Sequence, residues 1–314
     1  MQDGVVVRAY SGFYYVQLAG REAEAPVECT LRGRFRQHSP EEKIRAGGRG
    51  AGKAANSATL VALVGDRVKV QLADSTHGVI EAIQERRSEL ARPALANVEQ
   101  VVVVFAVTSP EPNLALVDRL LAVVAARDLQ IILCFNKIDL TDRQASKTLA
   151  LTYEEAGYRV ILTSAKKGAN IGRLREALQG RLSTFAGPSG VGKSALLNAV
   201  CPGHQLVTGE VSDKIRRGRH TTRYAQLLPL EGGGWVADTP GFSQLELSGI
   251  SPGELSFLFP EFEPYLGECR FQPCFHDQEP DCAVKRALRD GKINPIRYEH
   301  YLEFLKDLRA QKPW

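Results

Sequence analysis

No stretch of this 314-residue chain supplies the roughly 20 consecutive apolar residues that would span a bilayer. The apolar run VVVVFAV at 101–107 has only the length of a strand. The opening residues, MQDGVVVRAY, lack the basic stretch and apolar core of a secretory signal. Cysteine is scarce: of six, Cys29, Cys134 and Cys201 stand singly and the other three lie together near the C-terminus, which is no disulfide framework. These absences point to a cytoplasmic protein without a membrane partner. No internal repeat is found, and excess charge is small, at +4.

What is present is an ordinary globular balance, 44% apolar and 24% charged, over a length that suits two domains, or three if some are small. The charge is unevenly placed. Residues 31–53 carry seven lysines and arginines against two glutamates, and residues 214–223 carry five with no acid. Such runs suit a polyanionic partner, and equally a solvated surface.

Five short segments in the first 85 residues, GVVVRAY, GFYYVQL, VECTLRG, DRVKVQL and HGVIEAI, are rich in β-branched and aromatic residues. They predict a small barrel, with an OB-type barrel preferred to an SH3-like one. SPEEKIRAGGRGAGKAANSAT, between the third and fourth, reads as a mobile loop. From about residue 97 the texture changes to strands alternating with helices: EQVVVVFAV, LALVDRLLAVVAARD, IILCF and YRVILTSA. That alternation predicts a parallel sheet flanked by helices. Beyond Gly249 come short helices around a Cys/His cluster. The expected division is therefore a barrel over 1–85, an α/β nucleotide-binding domain over 86–245, and a mainly helical zinc-binding module over 246–314.

The pattern G-x-x-x-x-G-K occurs twice. The first, Gly47 to Lys53, follows a polar stretch and is followed by Ala54, which has no hydroxyl for Mg²⁺; it reads as a basic loop. The second, GPSGVGKS from Gly187 to Ser194, follows RLSTFA, a weak strand signal, and opens a helix at Ala195. Backbone N–H groups of Ser189, Gly190, Val191, Gly192, Lys193 and Ser194 would cradle phosphates, Lys193 would bridge the β and γ groups, and Ser194 would ligate Mg²⁺. Downstream, WVADTPGF ends a strand on Asp238-Thr239-Pro240-Gly241. In a GTPase this Asp reaches Mg²⁺ through water and the Gly amide meets the γ-phosphate. Between them, RGRHTTR at 217–223 occupies a switch position, with Thr222 the first choice as Mg²⁺ ligand and Thr221 the second.

Asn136-Lys137-Ile138-Asp139 follows the apolar IILCF. Asp139 would accept from the guanine ring N–H and exocyclic amine, the Lys137 stem would cover the base, and Asn136 would tie this loop to the phosphate loop. Thr163-Ser164-Ala165-Lys166 follows another strand, and the Ala165 amide would meet the guanine oxygen. The base loops thus precede the phosphate loop, the reverse of the usual order. Chain ends in compact domains lie close together, so a circular permutation keeps every element in place.

Cys269, Cys274, His276 and Cys282 form C-x₄-C-x-H-x₅-C, four soft ligands suited to one structural tetrahedral Zn²⁺. The two basic helices expected after them, PDCAVKRALRD and NPIRYEHYLEFLKDLRAQ, suit RNA contact or a solvated face.

A small barrel, a permuted domain with NKID, TSAKKG, GPSGVGKS, RGRHTTR and DTPGF, and a Cys/His module resemble the RsgA (YjeQ) family of ribosome-associated GTPases; RSELARPALANVEQ at 87–100 also looks like that family. The resemblance covers nearly the whole chain. It implies binding of GTP and GDP, contact with rRNA of the small ribosomal subunit, late maturation of that subunit, and hydrolysis stimulated by it and linked to release. A monomer is expected. The long Gly/Ala loop at 43–58 departs from the family pattern.

Ras-like enzymes orient the attacking water with a Gln after Asp-x-x-Gly. Here that position is Phe242, so unaided hydrolysis is expected to be slow. His220 is the nearest replacement, with Lys193 and Thr222 completing the catalytic set. Two other classes compete: a P-loop ATPase or kinase, which Asp139 opposes, and a GTP-dependent adaptor that scarcely hydrolyses, which Phe242 leaves open.

Overall fold

In the computed structural model the residues described are 1–21, 24–33, 62–91, 93–203, 225–238, 247 and 249–310. They form two compact units, one built on Met1–Val98, Thr222–Leu228 and Ala237–Pro240 and the other on Glu99–Thr221, Pro229–Val236 and Gly241–Trp314. The loop at 43–58, the first G-x-x-x-x-G-K, and the RGRHTTR segment lie outside the described residues, as do Thr239 to Phe242.

In the first unit β1 (Gln2–Tyr10), β2 (Phe13–Leu18), β3 (Val27–Leu31), β4 (Arg67–Leu72) and β5 (His77–Ile83) follow the five predicted segments. β1 pairs antiparallel with both β2 and β4, β2 with β3 and β4 with β5, while β3 and β5 run parallel. The ring β1-β2-β3-β5-β4 therefore closes on itself as an OB-type barrel, leaving no edge among these five strands. Alternation puts Val6, Val16, Leu18, Val68, Val70 and Ile80 into its core. A two-strand hairpin, β6 (Glu89–Ala91) and β7 (Ala94–Ala96), for which no strands were expected, lies within 87–100.

The second unit is built on β8 (Gln100–Ala106), β9 (Gln130–Asn136), β10 (Arg159–Leu162) and β11 (Leu182–Ala186), in the order β10-β9-β8-β11 and all parallel. Every residue of β8 and β11 is buried, so β8 reads as a near-continuous apolar run, while β11 buries the polar Ser183 and Thr184 as well. Helices α1 (Leu114–Ala125), α2 (Arg143–Glu155) and α3 (Ile171–Leu178) connect them, and α4 (Lys193–Val200) follows β11. Asn113 caps α1 by accepting from the Leu116 amide at 3.1 Å, and Asp142 caps α2 by accepting from the Ala145 amide at 2.8 Å.

Two further strands, β12 (Gln226–Pro229) and β13 (Trp235–Asp238), follow in sequence, each divided between the two units. After them α5 (Ala283–Arg289) and α6 (Pro295–Ala310) are the two helices expected near the C-terminus. Asn294 starts α6, its Oδ1 accepting from the Ile296 amide at 2.9 Å, with Pro295 at the first position. The aromatic residues Phe259, Phe262, Tyr301 and Phe304 make the core here.

Candidate functional site

Strands β8, β9, β10 and β11 run parallel, so the loops after β9, β10 and β11 leave from the same end of the sheet. That end is where ligands bind in open α/β sheets. The Asn136–Asp139 loop, the Thr163–Lys166 loop and the Gly187–Ser194 loop are those three.

The phosphate loop needs its glycines. Gly187 has φ +140°, and a Cβ there would stand 2.1 Å from the Val104 carbonyl oxygen. Gly192 has φ +97°, and its Cβ would stand 2.4 Å from Nδ2 of Asn136. The loop therefore passes too close to β8 and to the base loop for any side chain. The Lys193 ammonium donates to the carbonyls of Gly187 and Pro188, both at 2.7 Å. Burial pushes its pKa down to about 8. The Ser194 hydroxyl has no partner among the described residues and sits in the first turn of α4.

Asn136 is 2% exposed. Its Nδ2 donates to the Val191 carbonyl at 3.0 Å, while its Oδ1 accepts from the Thr163 hydroxyl at 3.2 Å and the Ala165 amide at 3.1 Å. One side chain therefore joins all three loops. The Ser164 hydroxyl donates to the Asp139 carboxylate, which stays exposed, and this bond holds the Asp139 pKa below its ordinary value. Lys137 is in the left-handed region at φ +65°, and its ammonium donates to the Ser109 carbonyl. Lys166 adds positive charge near Asp139. Asp238 ends β13, and burial raises its pKa. His220, Thr222 and Gly241 fall outside the described residues.

Sequence reasoning missed Thr163 as the partner that orients Asn136, and Ser109 as the rest for Lys137. The first was visible as the polar start of the TSAK run. The second acts through a main-chain carbonyl, which no side-chain pattern reveals.

Cys269, Cys274, His276 and Cys282 do come together, with ligand atoms all within 4.8 Å of one another. Cys269 Sγ is 3.5 Å from His276 Nδ1 and 3.8 Å from Cys282 Sγ, and His276 Nδ1 is 3.3 Å from Cys282 Sγ. Ligands about 2.0–2.3 Å from a tetrahedral ion lie roughly 3.3–3.8 Å apart, the spacing of Cys269, His276 and Cys282; with Cys274 inside the 4.8 Å spread the group could hold Zn²⁺. The Ala283 and Lys285 amides donate to the sulfurs of Cys269 and Cys282 at 3.3 and 3.5 Å. Burial lowers the His276 pKa, which favours the neutral, ligating imidazole. Tyr298 and Tyr301 donate to the carbonyls of His276 and Phe275 at 2.6 and 2.7 Å, fastening the knuckle to α6.

The expected basic helices are corrected in part. Over 280–310, which holds both helices, seven basic side chains stand against five acidic ones, a slight excess. Arg297 is 1% exposed and is held by Glu261 and Asp118 rather than facing solvent. Lys285 donates to the Asp277 carbonyl and Arg309 to its carboxylate. A charge count along a helix cannot tell an outward cation from one turned into the core.

A parallel sheet whose phosphate loop follows the NKID and TSAK loops in sequence defines a circularly permuted P-loop GTPase, joined to an OB-type barrel and a Cys₃His knuckle. The RsgA N-terminal domain model matches residues 3–80 and the RsgA GTPase model residues 83–248. The small ribosomal subunit biogenesis GTPase RsgA of Moorella thermoacetica is 47% identical over 310 residues, covering 99% of this chain and 98% of that protein. Its counterpart in Alkaliphilus metalliredigens is 40% identical, covering 99% of both. Among solved structures, YjeQ from Thermotoga maritima superposes with a TM-score of 0.80 at 36% identity, covering 99% of both chains. YloQ, described as a circularly permuted GTPase, gives 0.79 at 34%, covering 100% of this chain and 97% of that one. The chain belongs to the RsgA family of GTPases.

Proposed function

We propose that this GTPase acts in late maturation of the small ribosomal subunit, binds its rRNA, hydrolyses GTP when that subunit stimulates it, and leaves the subunit as a consequence. The relatives' names support the process, and the single observation that carries the site is Asn136, whose amide joins both base loops to the phosphate loop.

Asp139, Lys137, Ser164, Ala165 and Lys166 read guanine. Gly187 to Ala195 hold the phosphates, with Lys193 leaving the loop carbonyls for the β and γ groups. Ser194 and Thr222 are the Mg²⁺ ligands, with Asp238 and Gly241 in the roles their sequence positions give them. Bound Mg²⁺ would neutralise charge on the phosphates. His220 acts on the attacking water. Cys269, Cys274, His276 and Cys282 hold one structural zinc. The chain divides at about residues 85 and 245 into barrel, GTPase domain and zinc module, and works as a cytoplasmic monomer.

The rRNA contact falls first to the basic runs at 31–53 and 214–223, whose charge excess is far larger than that of the two C-terminal helices. GTP turnover measured with and without purified small subunits tests the reading: equal rates at saturating subunit would overturn it.

A further inference from the structure

The C-terminal helix is built into the nucleotide site's supporting framework. The segment between β8 and α1 touches two of the nucleotide loops. The Val107 amide donates to the Asn136 carbonyl at 2.9 Å, and Ser109 accepts from the Lys137 ammonium. Pro110 comes within 3.8 Å of the position a Cβ would take on Gly190. Asn113 then caps α1, and one turn further on lies Asp118, 1% exposed.

Asp118 is gripped from α6. One carboxylate oxygen accepts from Arg297 and the other faces His300 Nδ1. The next residue, Arg119, pairs with Asp307 at 2.7 Å and lies 4.8 Å over the Phe304 ring. Residues 297, 300, 304 and 307 recur at helical spacing, so one face of α6 holds a single turn of α1. Arg297 is fixed from its other side as well. It forks onto Glu261, and its guanidinium lies 5.2 to 5.4 Å from the Tyr153, Tyr158 and Phe259 ring centres. A bidentate, ring-enclosed guanidinium has one geometry only, unlike an apolar contact that slides.

We propose that Arg297 is a positioning residue for guanine-nucleotide binding: through Asp118 it fixes α1, and so fixes the 107–113 segment on which Lys137 rests. This rests on the reading of Lys137 as a base-site residue. By reciprocity, whatever α6 contributes to nucleotide affinity, nucleotide returns to α6 as protection.

The test uses the full-length protein. Hydrogen exchange over residues 295–310 is measured in the wild type, free and saturated with GDP; slower exchange with GDP is expected, and identical exchange overturns the proposal. GDP affinity is then measured at 10 °C for Lys137→Ala, Asp118→Asn, Arg297→Met and the Lys137→Ala/Arg297→Met pair. Arg297→Met and Asp118→Asn are each expected to weaken GDP about three- to tenfold, and the pair to bind about as weakly as Lys137→Ala alone. Lower melting temperatures with unchanged GDP affinity would mean a purely structural role and overturn the proposal. So would strictly multiplicative losses in the pair. Should Arg297→Met fail to fold, Asp118→Asn and the wild-type exchange experiment decide the matter. If Lys137→Ala binds GDP as well as wild type, the base-site reading itself fails and the proposal falls with it. Normal weakening by Lys137→Ala beside silent Arg297 and Asp118 variants refutes the coupling alone.

Discussion

The side-chain amide of Asn136 donates to the main-chain carbonyl of Val191 at 3.0 Å, across 55 residues of sequence. That bond joins the loop proposed to read the base to the loop proposed to hold the phosphates. In the usual GTPase order the same partnership runs the other way along the chain. Permutation changes the connection and leaves the partnership, because what matters is that both loops leave the same end of one parallel sheet.

The base assignment makes a prediction at Asp139. Ser164 already holds this carboxylate ionised and oriented. Asp139→Asn replaces a charged double acceptor and should cost about 1.5–3 kcal/mol, or about ten- to a hundredfold in GTP affinity. Preference should shift toward xanthine nucleotide, since an Asn amide donates to the added oxygen. Titration with labelled GTP and XTP checks both effects; unchanged GTP binding would remove Asp139 from the site.

Lys193 gives a pH dependence. In the nucleotide-free protein its pKa is about 8, below the ordinary 10.5, because burial disfavours the ammonium. A depressed Lys pKa means the unfolded chain binds more protons than the folded one between pH 8 and 10.5. This group's contribution to stability therefore rises with pH across that window. Phosphates reverse the preference by raising the pKa again. GTP binding at pH 8 should take up a fraction of a proton, with little uptake from this group near pH 6.5, and affinity should fall as pH rises above 8. Calorimetry in two buffers of different ionisation enthalpy reads this directly. A binding enthalpy independent of buffer at pH 8 would contradict it.

Much of this was legible before the fold was known. The barrel strands alternate, β8 and β9 are long apolar runs, and the phosphate and base loops announce themselves because their chemistry uses fixed residue types at fixed spacing. The Cys/His cluster was legible for the same reason. Arg297 was not. Its partners Asp118 and Glu261 lie 179 and 36 residues away, and only the packing of α6 on α1 turns a helix cation into a buried one. The β6–β7 hairpin was missed because two three-residue strands carry no measurable period. The rest of Lys137 on Ser109 was missed because a main-chain acceptor leaves no trace in residue type.

The metal prediction rests on Cys274, the least buried of the four ligands. Cys274→Ser should lower zinc below one per chain. It should also loosen the hydrogen bonds by which Tyr298 and Tyr301 hold the knuckle, since structural zinc contributes roughly 10–16 kcal/mol to folding of small fingers. Elemental analysis gives the first effect and tyrosine near-UV dichroism the second. Wild-type protein purified without chelators and found free of zinc would end the assignment.

The last prediction concerns His220, which lies outside the described residues and is argued from sequence. Phe242 occupies the position of the usual water-orienting Gln, so a stimulated rate needs another polar group near the γ-phosphate. His220 stands two residues before Thr222, with Arg217, Arg219 and Arg223 around it to meet rRNA phosphates. Docking on RNA would then place the imidazole. His220→Ala should leave GTP affinity within a fewfold of wild type and remove most of the subunit-stimulated rate, on the order of 10²-fold if the imidazole orients or deprotonates water. The opposing account makes His220 one more RNA contact, in which case the variant binds the subunit more weakly but reaches the full rate at saturation. Turnover measured against subunit concentration separates them: a shift confined to half-saturation, with the maximal rate intact, would refute the catalytic role.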